Sequence, residues 1–342
     1  MHADEHAAGA LVGLAIGDAL GMPTQSLPRA TIVHRYGEII DGFHAAPDDQ
    51  PLAAGLPAGR ITDDTEQALL LAELLIDGGG RVDARALAHS LLRWEDDMRR
   101  RGSLDLLGPS TKQAVSALLS GAAIEETGRF GHTDGAAMRI APVGIVTSPS
   151  DLDRLVDLVV EVSVVTHNTG IALAGAAAVA AAVSAGIEGA DTVEACRVGI
   201  DAAERASSRG HWYAGPDVAE RIRWAMGLVE GLHPEAAAAR IYSLVGTSLM
   251  TQEAVPAAFA ALAATPNDPW LTCRLAASVG GDCDTIAAMS GAITGACHGV
   301  EAFPSDARQT IASVNGIDLE TVAHRLLGLR DQGTSREVPY VS

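Results

Sequence analysis

Two short acidic signatures hold most of the chemistry in this sequence. Thr62-Asp63-Asp64-Thr65 and Asp282-Cys283-Asp284-Thr285 stand about 220 residues apart, each at the head of an apolar run with helical spacing. If folding brings them together, four carboxylates and several threonine hydroxyls surround one point. So many like charges in a low-dielectric cleft repel one another, and an oxygen-only ligand set suits Mg2+, Mn2+ or Ca2+ rather than zinc. Each motif also has a plainer reading, because Asp or Thr at a helix N-terminus caps free backbone N–H groups and complements the macrodipole. A cap needs one side chain, whereas the first motif crowds two adjacent carboxylates and two hydroxyls into a single turn. The second follows Gly280-Gly281, which lets the backbone approach a ligand closely.

Three further stretches combine small and polar residues. Gly131-His132-Thr133-Asp134-Gly135-Ala136-Ala137-Met138-Arg139 joins a glycine-bounded loop to small side chains that admit a ligand, or is an ordinary turn. Thr166-His167-Asn168-Thr169 opens an Ala-rich run, where Thr or Asn serves as a cap and a lone His says little about its role. Gly17-Asp18-Ala19-Leu20-Gly21 closes the first helical run, and its Asp can satisfy loop N–H groups. No phosphate-loop pattern, no GxGxxG after a strand and no GxSxG elbow occurs, so nucleotide-triphosphate and serine-hydrolase chemistry fall away.

The elements that must position these residues read as helices almost throughout. Apolar residues recur at three- and four-residue spacing over 9–20, 64–76, 83–96, 111–119, 151–164, 170–185, 191–206, 217–230, 234–245, 252–264, 284–298, 305–314 and 319–329. The expectation is an all-α compact multi-helix single domain spanning 1–342, with 331–342 as a frayed or packed tail. The loops 45–59, 78–80, 102–110, 128–135 and 207–216 are candidate rims of a site. The run 169–187 is long enough to cross a membrane, but it is built of Ala and Gly without a basic flank, which predicts a buried core helix and no membrane partner. Gly291 and Gly295 predict a tight helix contact.

Composition narrows the partners. The 342 residues are 48% hydrophobic and carry a net charge of -19, which argues against a nucleic-acid polymer, since phosphate neutralisation needs Lys and Arg clusters. Cys196, Cys273, Cys283 and Cys297 form no CxxC pair and predict free thiols in a reducing cytoplasm. The N-terminus lacks the basic region of a secretory signal, so a cytoplasmic location is expected.

The sequence resembles the ADP-ribosylglycohydrolase family, which includes the enzyme that removes ADP-ribose from dinitrogenase reductase. The resemblance covers nearly the whole chain and rests on Gly17-Asp18-Ala19-Leu20-Gly21, Thr62-Asp63-Asp64-Thr65, Gly135-Ala136-Ala137-Met138-Arg139, Thr166-His167 and Gly280-Gly281-Asp282-Cys283-Asp284-Thr285-Ile286, in the family's order. It implies a mostly helical domain with two divalent ions, Mg2+ or Mn2+, at the bottom of a ribose-binding cleft. By position it implies that Thr62, Asp63 and Asp64 hold one ion, Asp282 and Thr285 the other, and that Asp284 bridges both. Asp63, Asp64 or Asp284 would assist a water attacking ribose C1, and Gln25, Gly135, Ala136, Met138 and His167 would border the substrate. The implied substrate is an ADP-ribosylated protein or ADP-ribose derivative. A smaller ribosyl compound such as a nucleoside and a non-catalytic crystallin-like role are the alternatives. Two positions depart from the family pattern: Gln25 stands where an acid is usual, and Cys283 where Thr is.

Overall fold

The helix 170–187 explains the arrangement of the rest. Its residues are almost all Ala, Val, Ile, Leu and Gly, with no polar face, so it is stable only when surrounded on every side. In the computed structural model, which describes residues 2–103 and 107–334, all of Gly170–Ile187 is buried. It is the one described helix long and apolar enough to cross a membrane, and it is enclosed by protein instead. The helices Thr192–Ala206, Cys283–His298, Ala141–Val146 and Leu152–Ser163 pack around it. The main apolar cluster runs from Ala7 to Leu327, beside a small one of Met22, Ala46 and Ala53. The described residues contain no strand, only three isolated bridges, and the architecture is all-α.

The most extensive helix pair joins the two ends of the chain. His2–Gly21 and Cys283–His298 cross in opposite directions at backbone contact, and small residues make that approach possible. A Cβ added at Gly9 would lie 2.2 Å from the carbonyl oxygen of Gly295, at Gly13 2.2 Å from that of Gly291, and at Gly17 2.0 Å from that of Ala287. At Gly21 it would lie 2.2 Å from Cα of Asp284. The tight contact expected at Gly291 and Gly295 is present, and it extends along four turns of the first helix. Its consequence for the site is positional: the C-terminal end of the first helix, with Asp18, meets the N-terminal end of the helix that begins at Cys283.

The thirteen expected helices are all found, with shifted ends. The stretch 234–245 is α-helical over Pro234–Arg240 and then widens to a π turn over Ile241–Val245, stopped by Gly246 at φ +90°. Arg29–Tyr36, Ile124–Thr127, Ala141–Val146 and Pro269–Ala276 were not expected. They are short, and Ala141–Val146 is buried at every residue, so it has no polar face to set a period. The last helix runs over Leu319–Thr334, so residues 331–334 of the expected tail are helical; 335–342 and 104–106 lie outside the described residues. Pro256 sits inside the helix Thr251–Ala264 and leaves the carbonyl of Gln252 without its helical donor; Arg221 Nε donates to it at 3.3 Å.

Candidate active site

Asp18 organises the first acidic motif from below. Its side chain is fully buried, and its carboxylate accepts from Thr62 Oγ1 at 2.7 Å, Thr65 Oγ1 at 2.5 Å, and the backbone N–H groups of Thr62 at 3.0 Å and Thr65 at 3.2 Å. Burial pushes its pKa up to about 6, against the pull of these four donors. Thr62 occupies the N-cap position of the helix Asp63–Asp77, yet its hydroxyl makes no cap bond to that helix. The plain capping reading therefore does not hold here. Elsewhere it does: Asp83, Asp151, Asp191, Asp217 and Asp268 each accept from the backbone N–H three residues on.

The second motif behaves in the same way. Asp282 is the N-cap residue of Cys283–His298, and its side chain makes no cap bond either. The backbone ahead of it is left-handed at Gly280 (φ +92°) and Gly281 (φ +69°), and a Cβ on Gly281 would lie 2.2 Å from the carbonyl oxygen of Thr247. That turn is tied down on both sides. Asp282 N donates to Thr247 O at 2.7 Å, and Ser26 N donates to Gly281 O at 2.6 Å, with Ser26 itself left-handed at φ +58°. Thr285 Oγ1 lies 3.4 Å from Asp282 Oδ1.

The structure brings a further carboxylate to this point. Asp134, 5% exposed at the start of a short 3-10 turn, hydrogen-bonds to Asp282 and feels the charge of Asp64. Burial and these two acids hold its pKa well above the ordinary carboxylate range. Asp282 is raised by burial and in turn hydrogen-bonds to Asp134, Asp284 and Thr285. Asp64, Asp134, Asp282 and Asp284 thus form a connected acidic group assembled from three distant segments. Among the described residues no three Asp, Glu, His or Cys side chains stand around one point as a ready metal cage. The donors nonetheless are all oxygens, and their crowding raises the cost of ionisation, which a hard cation would relieve.

Asp134 was missed in the sequence because Thr133-Asp134-Gly135 reads as a turn. It is tied down by its backbone: Asp134 N donates to Leu249 O at 3.1 Å, and the carbonyl of His132 accepts from Thr251 Oγ1 at 2.9 Å. The adjoining expected residues form the wall behind it. Ala136 and Met138 are buried, Gly135 is half-buried, and a Cβ on Gly135 would lie 3.0 Å from the ring of His167. His167 is fully buried, with Nδ1 2.8 Å from Thr166 Oγ1 and Nε2 3.0 Å from Thr133 Oγ1. It supports the loop from beneath, and burial drives its pKa well below the usual histidine value.

The two departures from the family pattern have distinct surroundings. Cys283 is fully buried, its Sγ 3.2 Å from Thr24 Oγ1, and burial pushes its thiol up to about 12. It packs against the turn after the first helix and stays a neutral thiol. Gln25 is 3% exposed, and its side-chain Nε2 has no hydrogen-bond partner among the described residues. Its backbone carbonyl accepts from Gln50 Nε2 at 2.8 Å, which ties it to the loop 45–59.

Thr62 and Asp63, the latter half-buried, line a cavity of about 300 Å³ together with Leu52, Leu56, Arg60 and Arg101. Two expected rims, 45–59 and the segment from Gly102, therefore do border the first motif. The loop 78–80 lines a larger cavity of about 790 Å³ with Asp151, Arg154 and Glu161, which shares no residue with the acidic group. The loop 207–216 borders a third, of about 240 Å³, beside Gly170 and Asp217.

Comparison with known proteins identifies the family and the fold. The family model for ADP-ribosylglycohydrolase matches residues 1–335. YegU of Escherichia coli (strain K12), itself uncharacterized, is 34% identical over 336 residues, 96% of this chain and 98% of its own. The ADP-ribosylarginine hydrolase Tri1 of Pseudomonas putida (strain GB-1) is 28% identical over 318 residues, 90% of this chain and 74% of its own. Among solved structures, an ADP-ribosylglycohydrolase-related protein complex superposes with a TM-score of 0.67 at 24% identity, over 96% of this chain and 99% of that one, which establishes the fold. The chain is a glycosyl hydrolase by descent and belongs to the ADP-ribosylglycohydrolase family.

Proposed function

We propose that the protein cleaves the bond between ribose C1 and its aglycone in an ADP-ribosylated substrate, at the acidic group of Asp64, Asp134, Asp282 and Asp284, with two divalent cations, Mg2+ or Mn2+, as cofactors. The observation that carries this reading is the behaviour of the two N-cap positions. Neither Thr62 nor Asp282 gives its side chain to capping, and acids from both helix starts, Asp64 and Asp282, act on the same buried Asp134. Thr62, Asp63, Asp64, Asp282, Asp284 and Thr285 would hold the cations, and Asp134 adds a donor to that set. When bound, such cations fix ribose hydroxyls and lower the pKa of a water.

The chain's own residues account for the attack of water, and the proton that water gives up is the one the departing aglycone must receive. Cleavage at C1 passes through an oxocarbenium-like state that needs water delivered to one face of the ribose. Asp63, held at Oδ2 by Gln67 Nε2 at 3.0 Å, is oriented to take the proton of that water. The Gln25 amide is buried with a donor to spare, which suits hydrogen bonding to a substrate oxygen but not proton transfer. The name of the Pseudomonas putida relative supports arginine as the first aglycone to test.

The test is product analysis after incubating the Mn2+-supplemented protein with ADP-ribosylated arginine and serine peptides, ADP-ribose derivatives and a nucleoside panel. Release of ADP-ribose from a peptide supports the proposal. Release of free base from nucleosides alone would replace it with a nucleosidase, and no product together with no calorimetric Mn2+ binding would replace it with a non-catalytic role.

A further inference from the structure

The largest fully buried side chain among the described residues is a charged one. Arg139 is 1% exposed, and its guanidinium forks between two neutral partners: Nη1 donates to Gln67 Oε1 at 3.1 Å and Nη2 donates to Thr166 Oγ1 at 2.7 Å. Burial lowers its pKa to about 10, so it remains a cation at neutral pH. A desolvated charge held by neutral groups is costly unless a field of opposite sign surrounds it, and Asp63 supplies part of that field.

Both arms of the fork lead toward the acidic group. On one side the Gln67 amide, with its oxygen taken by Arg139, has its Nε2 turned to Asp63 Oδ2 at 3.0 Å. The guanidinium has no acceptor, so it fixes which end of the amide faces Asp63 and makes that end a donor. On the other side Thr166 Oγ1 accepts from Arg139; the oxygen keeps a second lone pair, but the adjacent cation disfavours an N–H aimed at it and favours the hydroxyl proton turned to His167 Nδ1 at 2.8 Å. A ring nitrogen that accepts there requires the proton on Nε2, which then donates to Thr133 Oγ1 at 3.0 Å, one residue before Asp134. One buried cation thus favours a single polarity along the whole chain.

We propose that Arg139 is a positioning residue for the site: through Gln67 it orients Asp63, and through Thr166, His167 and Thr133 it holds the Asp134 loop opposite, with His167 locked in the Nε2–H form. Lysine cannot replace it, because a single ammonium on a flexible stem does not span both acceptors in a fixed plane. The kinetic part of this inference rests on the functional reading above. The tautomer does not.

The first measurement is therefore independent of activity. Long-range 1H–15N correlation on histidine-labelled full-length protein should show His167 with its proton on Nε2 and a bare Nδ1. A proton on Nδ1 would overturn the directed chain, whether or not the protein turns over any substrate. The second measurement compares Thr166→Val with Thr166→Ser, each checked by thermal melting for a folded state. Loss of one buried hydrogen-bond link predicts a fall in kcat of about tenfold in the Val variant with KM changed by less than about threefold, and recovery to within about threefold in the Ser variant. Equal losses in both variants, or an unchanged kcat in folded Thr166→Val, would assign Arg139 a packing role instead. If the wild-type protein cleaves no ribosyl substrate, the functional reading fails and the tautomer measurement alone decides.

Discussion

Asp18 and Thr62 lie 44 positions apart in the chain, and Thr62 gives its backbone N–H and its hydroxyl to the same carboxylate, at 3.0 Å and 2.7 Å. The first acidic motif is therefore hung from the first helix and does not cap its own. Asp18 is itself fully buried and meets the site only through Thr62 and Thr65, so its importance is in placement.

Asp18→Ala should for this reason damage the site without removing a donor from it. Four buried donors would lose their acceptor, at a cost of about 1 to 3 kcal/mol each before relaxation and water entry, and a net loss of about 3 kcal/mol is expected. Urea denaturation should show that loss together with weakened calorimetric Mn2+ binding. A variant as stable as the wild type would show that the four bonds are dispensable.

The helix crossing yields a sharper contrast. In Gly21→Ala the new methyl meets the backbone of Asp284 at 2.2 Å, and no side-chain rotation relieves it. The helices must separate, with a cost of about 2 to 3 kcal/mol and a displaced Asp284. Gly227→Ala lies inside the helix Val218–Val229 with nothing within 4 Å, and it should stabilise by about 0.5 to 1 kcal/mol. Opposite shifts in Tm from these two substitutions are expected; shifts of the same sign would contradict the close-packed crossing.

Asp284→Ala removes from the acidic group the carboxylate that hydrogen-bonds to Asp282. Under the proposed function it holds a cation, and losing such a ligand costs far more than losing a peripheral contact, so calorimetric heat from Mn2+ should vanish and turnover should fall by at least about a hundredfold. Retained turnover would exclude Asp284 from the reaction. Cys283→Ser, one position away, should change turnover by less than about twofold, since the sulfur faces Thr24.

Much of this was legible in the sequence, for reasons that particular residues make clear. Helices with a polar face and an Asp cap, such as those after Asp83 and Asp217, carry both a period and a start signal. Gly170–Ile187 was legible from the opposite feature, the lack of any polar face. The paired acids at 62–65 and 282–285 were visible because they exceed what a cap requires. Asp134 was not visible, because its role depends on Leu249 and Asp282 reaching it from far along the chain. The sequence reads Asp18 as a residue that can satisfy loop N–H groups, which it does, but only the fold makes that loop the acidic motif itself. The Arg139 fork was equally hidden, since the Gly135–Arg139 block does not show that Gln67 and Thr166 reach its guanidinium.

His167 should make stability fall on the acid side of neutrality. Its folded pKa is held well below the usual value by burial, with the Arg139 charge adding to the effect. In the unfolded chain it titrates near 6.5. Above that pH neither state carries a proton there, and the buried neutral ring contributes in full. As pH falls below about 6.5 the unfolded chain takes up a proton that the native state refuses, so stability is lost at about 1.4 kcal/mol per pH unit, or about 2 kcal/mol by pH 5. His6, lowered by its own burial, acts in the same direction. Asp18 acts in the opposite one, because a folded pKa raised to about 6 lets the native state gain a proton before the unfolded chain does. Both groups are shared by the wild type and His167→Gln, so they cancel in the difference between the two. The wild type should be the more stable protein at pH 7.5, and its advantage over His167→Gln in urea unfolding should shrink by about 2 kcal/mol between pH 7.5 and 5. A constant advantage across that range would mean that His167 accepts a proton within the fold as readily as it does in water.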